Sequence, residues 1–260
     1  MNFNNKVVVL TGASSGIGYH LAKLLPKENC SVALIARSKD ILDELINNLQ
    51  SEKGRMKAYR CDVSDYDDVR STFGEIKKDF SKIDIVILNA GISSRTSIKD
   101  FSIDKAKEIF DVNTLGLIYC IEQVLPDFIG RKEGMIVGVS SLAESRGYPR
   151  SGFYNASKAA VTLLLESLRV ELKKFNIKVL TVKPGFVRTP MTNKNEFQMP
   201  FLMDVEKAAS IILKGIKKEK KIIQFPLPIV VGSKIIKLLP NWLFDYLMSK
   251  ELPPRKDKGN

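Results

Sequence analysis

The chain has 260 residues, 44% of them hydrophobic and 27% charged, and carries a formal net charge of +12. This is an ordinary globular composition with ample material for a core, and no apolar run is long enough to span a bilayer. The sequence shows no repeat and no low-complexity tract before residue 220.

In chain order, "KVVVLTG" (6–12) is a short valine-rich run ending in glycine, the pattern of a buried strand. A helix is expected over about 16–28, bent or ended at Pro26. "SVALIA" (31–36) reads as a second strand, and "KDILDELINNLQ" (39–50) as an amphipathic helix with apolar Ile41, Leu42, Leu45, Ile46 and Leu49. Strands follow at "MKAYRCDV" (56–63) and "IDIVILNAG" (83–91), with a helix at about 65–80 between them. Helices at about 102–130 lead to a strand at "GMIVGVSS" (134–141), and a long helix over about 152–174 leads to "IKVLTVKPG" (177–185). Buried strands alternating with helices predict an α/β fold, doubly wound, with a parallel sheet covered by helices on both faces. A single domain over 1–225 is expected to hold it, with a lid at about 190–204 and a C-terminal amphipathic segment and basic tail over 226–260.

Cys30, Cys61 and Cys120 are odd in number and far apart, so they read as reduced core residues. His20 has no His or Cys neighbour, which argues against zinc, and no metal is expected. The chain opens on a strand pattern with no charged-then-apolar leader, so a cytoplasmic location is the expectation. Residues 204–260 hold twelve Lys/Arg against six Asp/Glu. Such a balance suits an anionic ligand, an anionic membrane surface or nucleic acid, or simply lysines on solvated faces. No nucleic-acid recognition motif accompanies it, and no nucleic-acid partner is expected.

Two motifs carry chemistry. "TGASSGIG" (11–18) follows a strand and opens a helix. Gly12 permits a tight turn, Gly16 lets backbone approach a pyrophosphate, and Gly18 lets the helix pack on the sheet. The free N–H groups and positive end of the helix then favour phosphates. A plain strand-to-helix turn is the alternative. "YNASK" (154–158) places Tyr154 and Lys158 one helical turn apart on one face. A phenol beside a fixed ammonium should ionise more easily, as a general acid–base near neutral pH requires. The same spacing is also common on helix surfaces.

With "CDV" (61–63), "NAG" (89–91), "DVN" (111–113), "VSS" (139–141) and "PGFVRT" (184–189), these motifs fall in order from Lys6 to about Met191. In this the sequence resembles the short-chain dehydrogenase/reductase family, in its compact single-domain branch. The resemblance implies a Rossmann fold, a nicotinamide dinucleotide and interconversion of a carbonyl and an alcohol. It implies Tyr154 as general acid–base, Lys158 as its pKa-lowering partner and ligand of the nicotinamide ribose, and Ser141 as hydrogen-bond donor to the substrate oxygen, with Ser140 a structural neighbour. Asn113 would hold a water in a proton relay from Lys158, serve as a helix-start or kink residue, or do both. On the cofactor side it implies Gly12, Ser14, Ser15, Gly16, Ile17 and Gly18 in the glycine turn. Asp62 would lie near the adenine amino group, with Val63 beside it, unless Asp62 is only a strand-end turn residue. Asn89 would brace the sheet, with Ala90 and Gly91 by the adenosine ribose. Val187 and Thr189 would hold the carboxamide, preceded by Pro184 and Gly185 in the same binding set.

The second strand ends "LIARS". An acidic residue there would bind the ribose 2′-hydroxyl of NAD and repel a 2′-phosphate. Ala36 takes that slot, followed by Arg37 and Ser38, and an arginine fork suits a phosphate. The plainer reading is a basic residue on an exposed turn. NADP(H) is therefore the expected cofactor, and reduction of an apolar or lipid-like carbonyl the expected activity. A dinucleotide-binding regulator or scaffold without catalysis is the alternative, and Ser141, Tyr154 and Lys158 argue against it. Glu144 stands near the substrate mouth where the family carries glycine, and is expected to point to solvent. Met199, Phe201, Leu202 and Met203 suit either an apolar pocket or lid-anchoring core. Leu163 to Leu165 with Leu168 lie beyond one core face of their helix, as a homodimer or homotetramer needs. Finally, "IIKLLPNWLFDYLM" (235–248) forms a helical apolar stripe that Pro240 should split in two. Lys234, Lys237 and Lys250 flank it, which suits weak contact with an anionic membrane at its inner face, or else a pocket lid or subunit contact.

Overall fold

Runs of Val, Ile and Leu too short and too uniformly apolar for a surface helix form a seven-stranded sheet. The computed structural model of the protein describes residues 2–49, 55–96, 98–194 and 198–250. The strands are β1 (Val7–Thr11), β2 (Ser31–Ala36), β3 (Met56–Arg60), β4 (Ile85–Leu88), β5 (Gly134–Val139), β6 (Ile177–Pro184) and β7 (Ile222–Phe225). All pair in parallel, in the order β3-β2-β1-β4-β5-β6-β7. Parallel neighbours need crossovers. These are α1 (Gly16–Leu24), α2 (Lys39–Asn48), α3 (Tyr66–Phe80), α4 (Ile103–Phe110) with α5 (Gly116–Arg131), α6 (Gly152–Glu171) and α7 (Val205–Lys217). Alternate strand residues face opposite sides, so two cores form. Val8, Leu10 and Leu34 pack with Leu21 and Ile212 on one side, and Val9, Ile35 and Val86 with Phe73, Phe128 and Leu165 on the other. This is the doubly wound parallel architecture expected from the alternation of elements.

The departures are local. The strand expected over 83–91 leaves the ladder after Leu88, and Asn89 to Gly91 turn outward at its end. The helical stretch expected over 102–130 is interrupted by a π-helical turn, Asp111–Leu115, between α4 and α5. Neither α7 nor β7 is anticipated from the sequence. α7 buries Ala208, Ala209, Ile212, Leu213 and Ile216 along one face. β7 is an edge strand that buries Ile223 and Phe225 and exposes Ile222 and Gln224.

After β6 the chain returns on itself. Met203 pairs with Val187, its N–H donating to the Phe186 carbonyl (3.0 Å) while its own carbonyl accepts from Arg188 N (2.9 Å). Met203 packs against the core, whereas Phe201 is exposed. Of the expected lid, residues 195–197 lie outside the described residues, as do 251–260 of the basic tail.

Two further helices close the chain, α8 (Leu227–Leu238) and α9 (Asn241–Ser249), split at Pro240 as its fixed φ and missing N–H require. Arg146, in the loop after β5, joins them to the rest. Its guanidinium donates to the Leu239 carbonyl (3.0 Å) and to Asn241 Oδ1 (3.2 Å), and lies 4.1 Å from the centre of the Phe244 ring.

Candidate active site

The strand order reverses between β1 and β4, and the C-terminal ends of the two strands diverge into a crevice there. Thr11 and Asn89 clasp these ends. Thr11 Oγ1 accepts from the backbone N–H groups of Asn89 and Ala90, each at 3.1 Å. In return the Asn89 side-chain amide donates to the carbonyls of Thr11 (3.2 Å) and Gly12 (3.1 Å). Space is tight enough to dictate glycine. A Cβ on Gly12, which has φ +66°, would stand 2.8 Å from Ala90 Cα, and one on Gly18 would stand 2.1 Å from the Gly12 carbonyl oxygen. Ser15 precedes α1 without a side-chain capping bond, so the positive end of the helix is left to the crevice.

At the other end, α6 carries Tyr154 and Lys158 against the end of β5. Lys158 is 4% exposed; its ammonium donates to the Val139 carbonyl (3.0 Å) and lies 6.0 Å from the centre of the Tyr154 ring. Ser140 fixes the same junction: its Oγ donates to the Lys158 carbonyl (2.9 Å) and lies 2.7 Å from Thr162 Oγ1. Ser141 begins the short turn Leu142–Ser145 and accepts from Ala143 N (3.1 Å). Burial dominates the electrostatics here. It lowers Lys158 to about 8. It also pushes the Tyr154 phenol above its usual range, against a smaller downward pull from a hydrogen bond with Ser141. The net direction is opposite to the lowering expected beside an ammonium, because loss of water around the would-be phenolate dominates.

Asn113 sits in the π turn, 1% exposed. Its amide donates to the Ile92 carbonyl (2.9 Å) and Ser157 Oγ (3.0 Å), and its Oδ1 accepts from Ile92 N (2.7 Å). The side chain thus ties the loop after β4 to α6 at the kink.

A cleft of about 420 Å³ crosses the ends of the strands. Its lining gathers every catalytic and cofactor position named from the sequence except Gly18 and Asn113, which stand behind it as packing and bracing groups. Near the end of β2, Arg37 is well exposed and its guanidinium lies 3.9 Å from Asp62. Burial pushes the Asp62 carboxyl up, but hydrogen bonds from Ser64 and the charge of Arg37 hold it below the usual range. Residues passed over in the sequence also line the cleft: Ile92, Ser93, Val112, Pro190, Met191 and Thr192. Thr192 knots the loop after β6, donating to the Val187 carbonyl (2.6 Å) and accepting from Thr189 N (2.9 Å). The T-x-x-T spacing of Thr189 and Thr192 is the signal that would have revealed this turn.

Glu144 does not point to solvent. It pairs with Lys183 of β6 at 3.0 Å, each side chain only 14% exposed. The turn after Ser141 folds back over the end of β6, where a largely buried lysine needs a counter-charge.

The depressed Lys158 sets a pH dependence. Below pH 8 the ammonium is buried and charged, and its desolvation works against the fold. As pH rises from 8 towards 10.5, the unfolded chain holds the proton that the folded chain has released, so stability rises. Relative to Lys158→Met, the protein should gain about 1.5 kcal/mol between pH 8 and 9.5, read as the difference between the two urea-unfolding curves.

The family model described as short chain dehydrogenase matches residues 6–199. An uncharacterized oxidoreductase of Myxococcus xanthus is 34% identical over 240 residues, 92% of this chain and 95% of that protein. One from Listeria monocytogenes is 33% identical over 193 residues, 74% of this chain and 78% of its own. Among solved structures, a Burkholderia phymatum short chain dehydrogenase/reductase in complex with NAD superposes with a TM-score of 0.83 at 23% identity, covering 90% of this chain and 93% of its own. A Sphingobium yanoikuyae short-chain dehydrogenase in complex with NADPH gives 0.81 at 25% identity, with 98% of each chain covered. With the glycine turn, the Asn89 clasp and the Ser141–Tyr154–Lys158 group meeting in one cleft, the chain belongs to the short-chain dehydrogenase/reductase family of oxidoreductases.

Proposed function

We propose that the protein is an NADPH-dependent reductase of a carbonyl group on an apolar or lipid-like molecule, working on the corresponding alcohol in reverse. The observation that carries this reading is the convergence of Ser141, Tyr154 and Lys158 on one end of a cleft whose other end carries Arg37 and no carboxylate at the close of β2. The donor set fits a dinucleotide. Gly12 and Gly16 turn with positive φ in the cleft floor, α1 presents its positive end, and Arg37 and Ser38 in the lining would offer a cation and a hydroxyl to a 2′-phosphate. Asp62 and Val63 would face the adenine, Ala90 and Gly91 the adenosine ribose, and Val187 and Thr189 the carboxamide. The bound nicotinamide supplies or accepts the hydride.

This chain's own residues handle the proton and the charge. Ser141 and Tyr154 donate hydrogen bonds to the carbonyl oxygen as negative charge grows on it, and Tyr154 passes its proton there. Lys158, still largely protonated at neutral pH with its value at about 8, favours the phenolate left behind. Asn113 keeps the loop after β4 and α6 in register beneath them. Ile92, Pro190 and Met191 give the lining an apolar wall, which supports an apolar substrate. The three cysteines are buried and unpaired, and burial pushes their thiols up, as suits inert thiols in a reducing cytoplasm. A non-catalytic scaffold role is not favoured, because it has no use for the full proton-transfer group.

Three outcomes test the reading. Tyr154→Phe should abolish NADPH-linked turnover across a panel of apolar ketones while leaving NADPH binding, followed by calorimetry, within about twofold; retained activity would remove Tyr154 as proton donor. Arg37→Ala should weaken NADPH by about 1.5–3 kcal/mol and NADH hardly at all, and equal losses would return the preference to an open question. Of the surplus apolar residues expected on α6, Leu165 is buried and Leu164 and Leu168 pack against the core, whereas Leu163 and Val170 are each 67% exposed, two turns apart, and we assign these two to contact with a second copy. Light scattering should give a dimer or tetramer for the protein and a monomer for Leu163→Arg/Val170→Arg; a monomeric parent sinks the assignment.

A further inference from the structure

α8 and α9 are apolar on two faces. Inward, Val230 and Phe244 are buried, Phe244 beneath the Arg146 guanidinium. Outward, Leu227, Val231, Ile235 and Leu238 step along α8 at helical spacing, and are 72%, 48%, 57% and 84% exposed. Trp242 and Tyr246, at 70% and 57%, follow one turn apart on α9. Single exposed apolar side chains are normal, but a stripe of six large ones in twenty residues is not. A helix with apolar side chains on two faces calls for cover on both.

The border of the stripe says what the cover is. Lys234 and Lys237 on α8 and Lys250 at the end of α9 are exposed, and Lys250 Nζ lies 4.2 Å from the centre of the Tyr246 ring. Within α8 and α9, Asp245 is the sole acidic residue. A second copy is a poor occupant, because a two-fold contact would set this lysine-bordered stripe against itself, with one aspartate per copy to balance it. An anionic phospholipid surface offers hydrocarbon to the stripe and opposite charge to its border, and Trp with Tyr suits the headgroup level. No helix among the described residues is long and apolar enough to cross a membrane, so the contact is with a surface.

We propose that the outer face of α8 and α9 docks the protein on anionic phospholipid, the apolar stripe entering the interface and Lys234, Lys237 and Lys250 engaging the headgroups. The docked element borders the turn that follows Ser141, since Arg146 and α8 hold the two together. The proposal is independent of which substrate the cleft takes.

Trp242 is the one tryptophan of the chain, so its emission reports on this face alone. The full-length protein is mixed with vesicles of phosphatidylcholine, or of phosphatidylcholine with phosphatidylglycerol, at low and high salt. Emission should shift to the blue, and the protein should sediment, with the anionic vesicles at low salt, both reversed by salt. Each lysine charge removed should lower the partition about fivefold, so Lys234→Gln/Lys237→Gln/Lys250→Gln should bind about a hundredfold more weakly, with its circular dichroism and melting unchanged. Binding to neither vesicle, equal binding to both, or undiminished binding of the triple variant overturns the proposal. So does a blue shift on concentrating the protein without lipid, which would give the face to a second copy.

Discussion

Thr11 and Asn89 hold the ends of β1 and β4 together, and the rest of the cleft is placed by that clasp. The four hydrogen bonds between them satisfy backbone groups at the point where each strand leaves the ladder. They also fix how near the turn after β1 comes to the loop after β4. That distance leaves no room for a side chain at Gly12 or Gly18, so the glycine motif is a consequence of the clasp as much as of any ligand. Arg37 and Asp62 lie on one side of this point and Ser141 and Tyr154 on the other, so a single junction sets the spacing of both halves of the site.

The catalytic end rests on a different constraint, removal of water from groups that must carry charge. Burial penalises both the phenolate of Tyr154 and the ammonium of Lys158. A fold tolerates such a pair only where other bonds hold it rigidly. Here the Val139 carbonyl holds the ammonium directly, Ser140 and Thr162 lock the end of β5 to α6, and Asn113 locks α6 to the loop after β4. The π turn is what points Asn113 inward to do so.

Much of this was legible in the sequence because it is local. Short apolar runs mark β1, β2 and β5, the glycine turn follows β1 without interruption, and Tyr154 and Lys158 share a helix face by spacing alone. The unforeseen parts depend on what the fold brings from elsewhere. Glu144 and Lys183 are partners across 39 residues, a pairing visible only once β5 and β6 lie side by side. β7 is four residues with one buried face, preceded by lysines, and reads as a solvated linker until β6 offers it a ladder. The π turn has helix on both sides, so no break in pattern announces it. The rise in the Tyr154 phenol depends on burial, which helix spacing does not encode.

Arg146 gathers the connection between α8 and α9 with one guanidinium, and the family match ends at residue 199, well ahead of that connection. Buried Val230 and Phe244 complete the join, so it rests on packing as well as on that one charge. The terminal helices are thereby tied to the turn that follows Ser141, a residue of the cleft lining. Strain applied to α8 or α9 would therefore be transmitted through Arg146 to the turn that Ser141 begins.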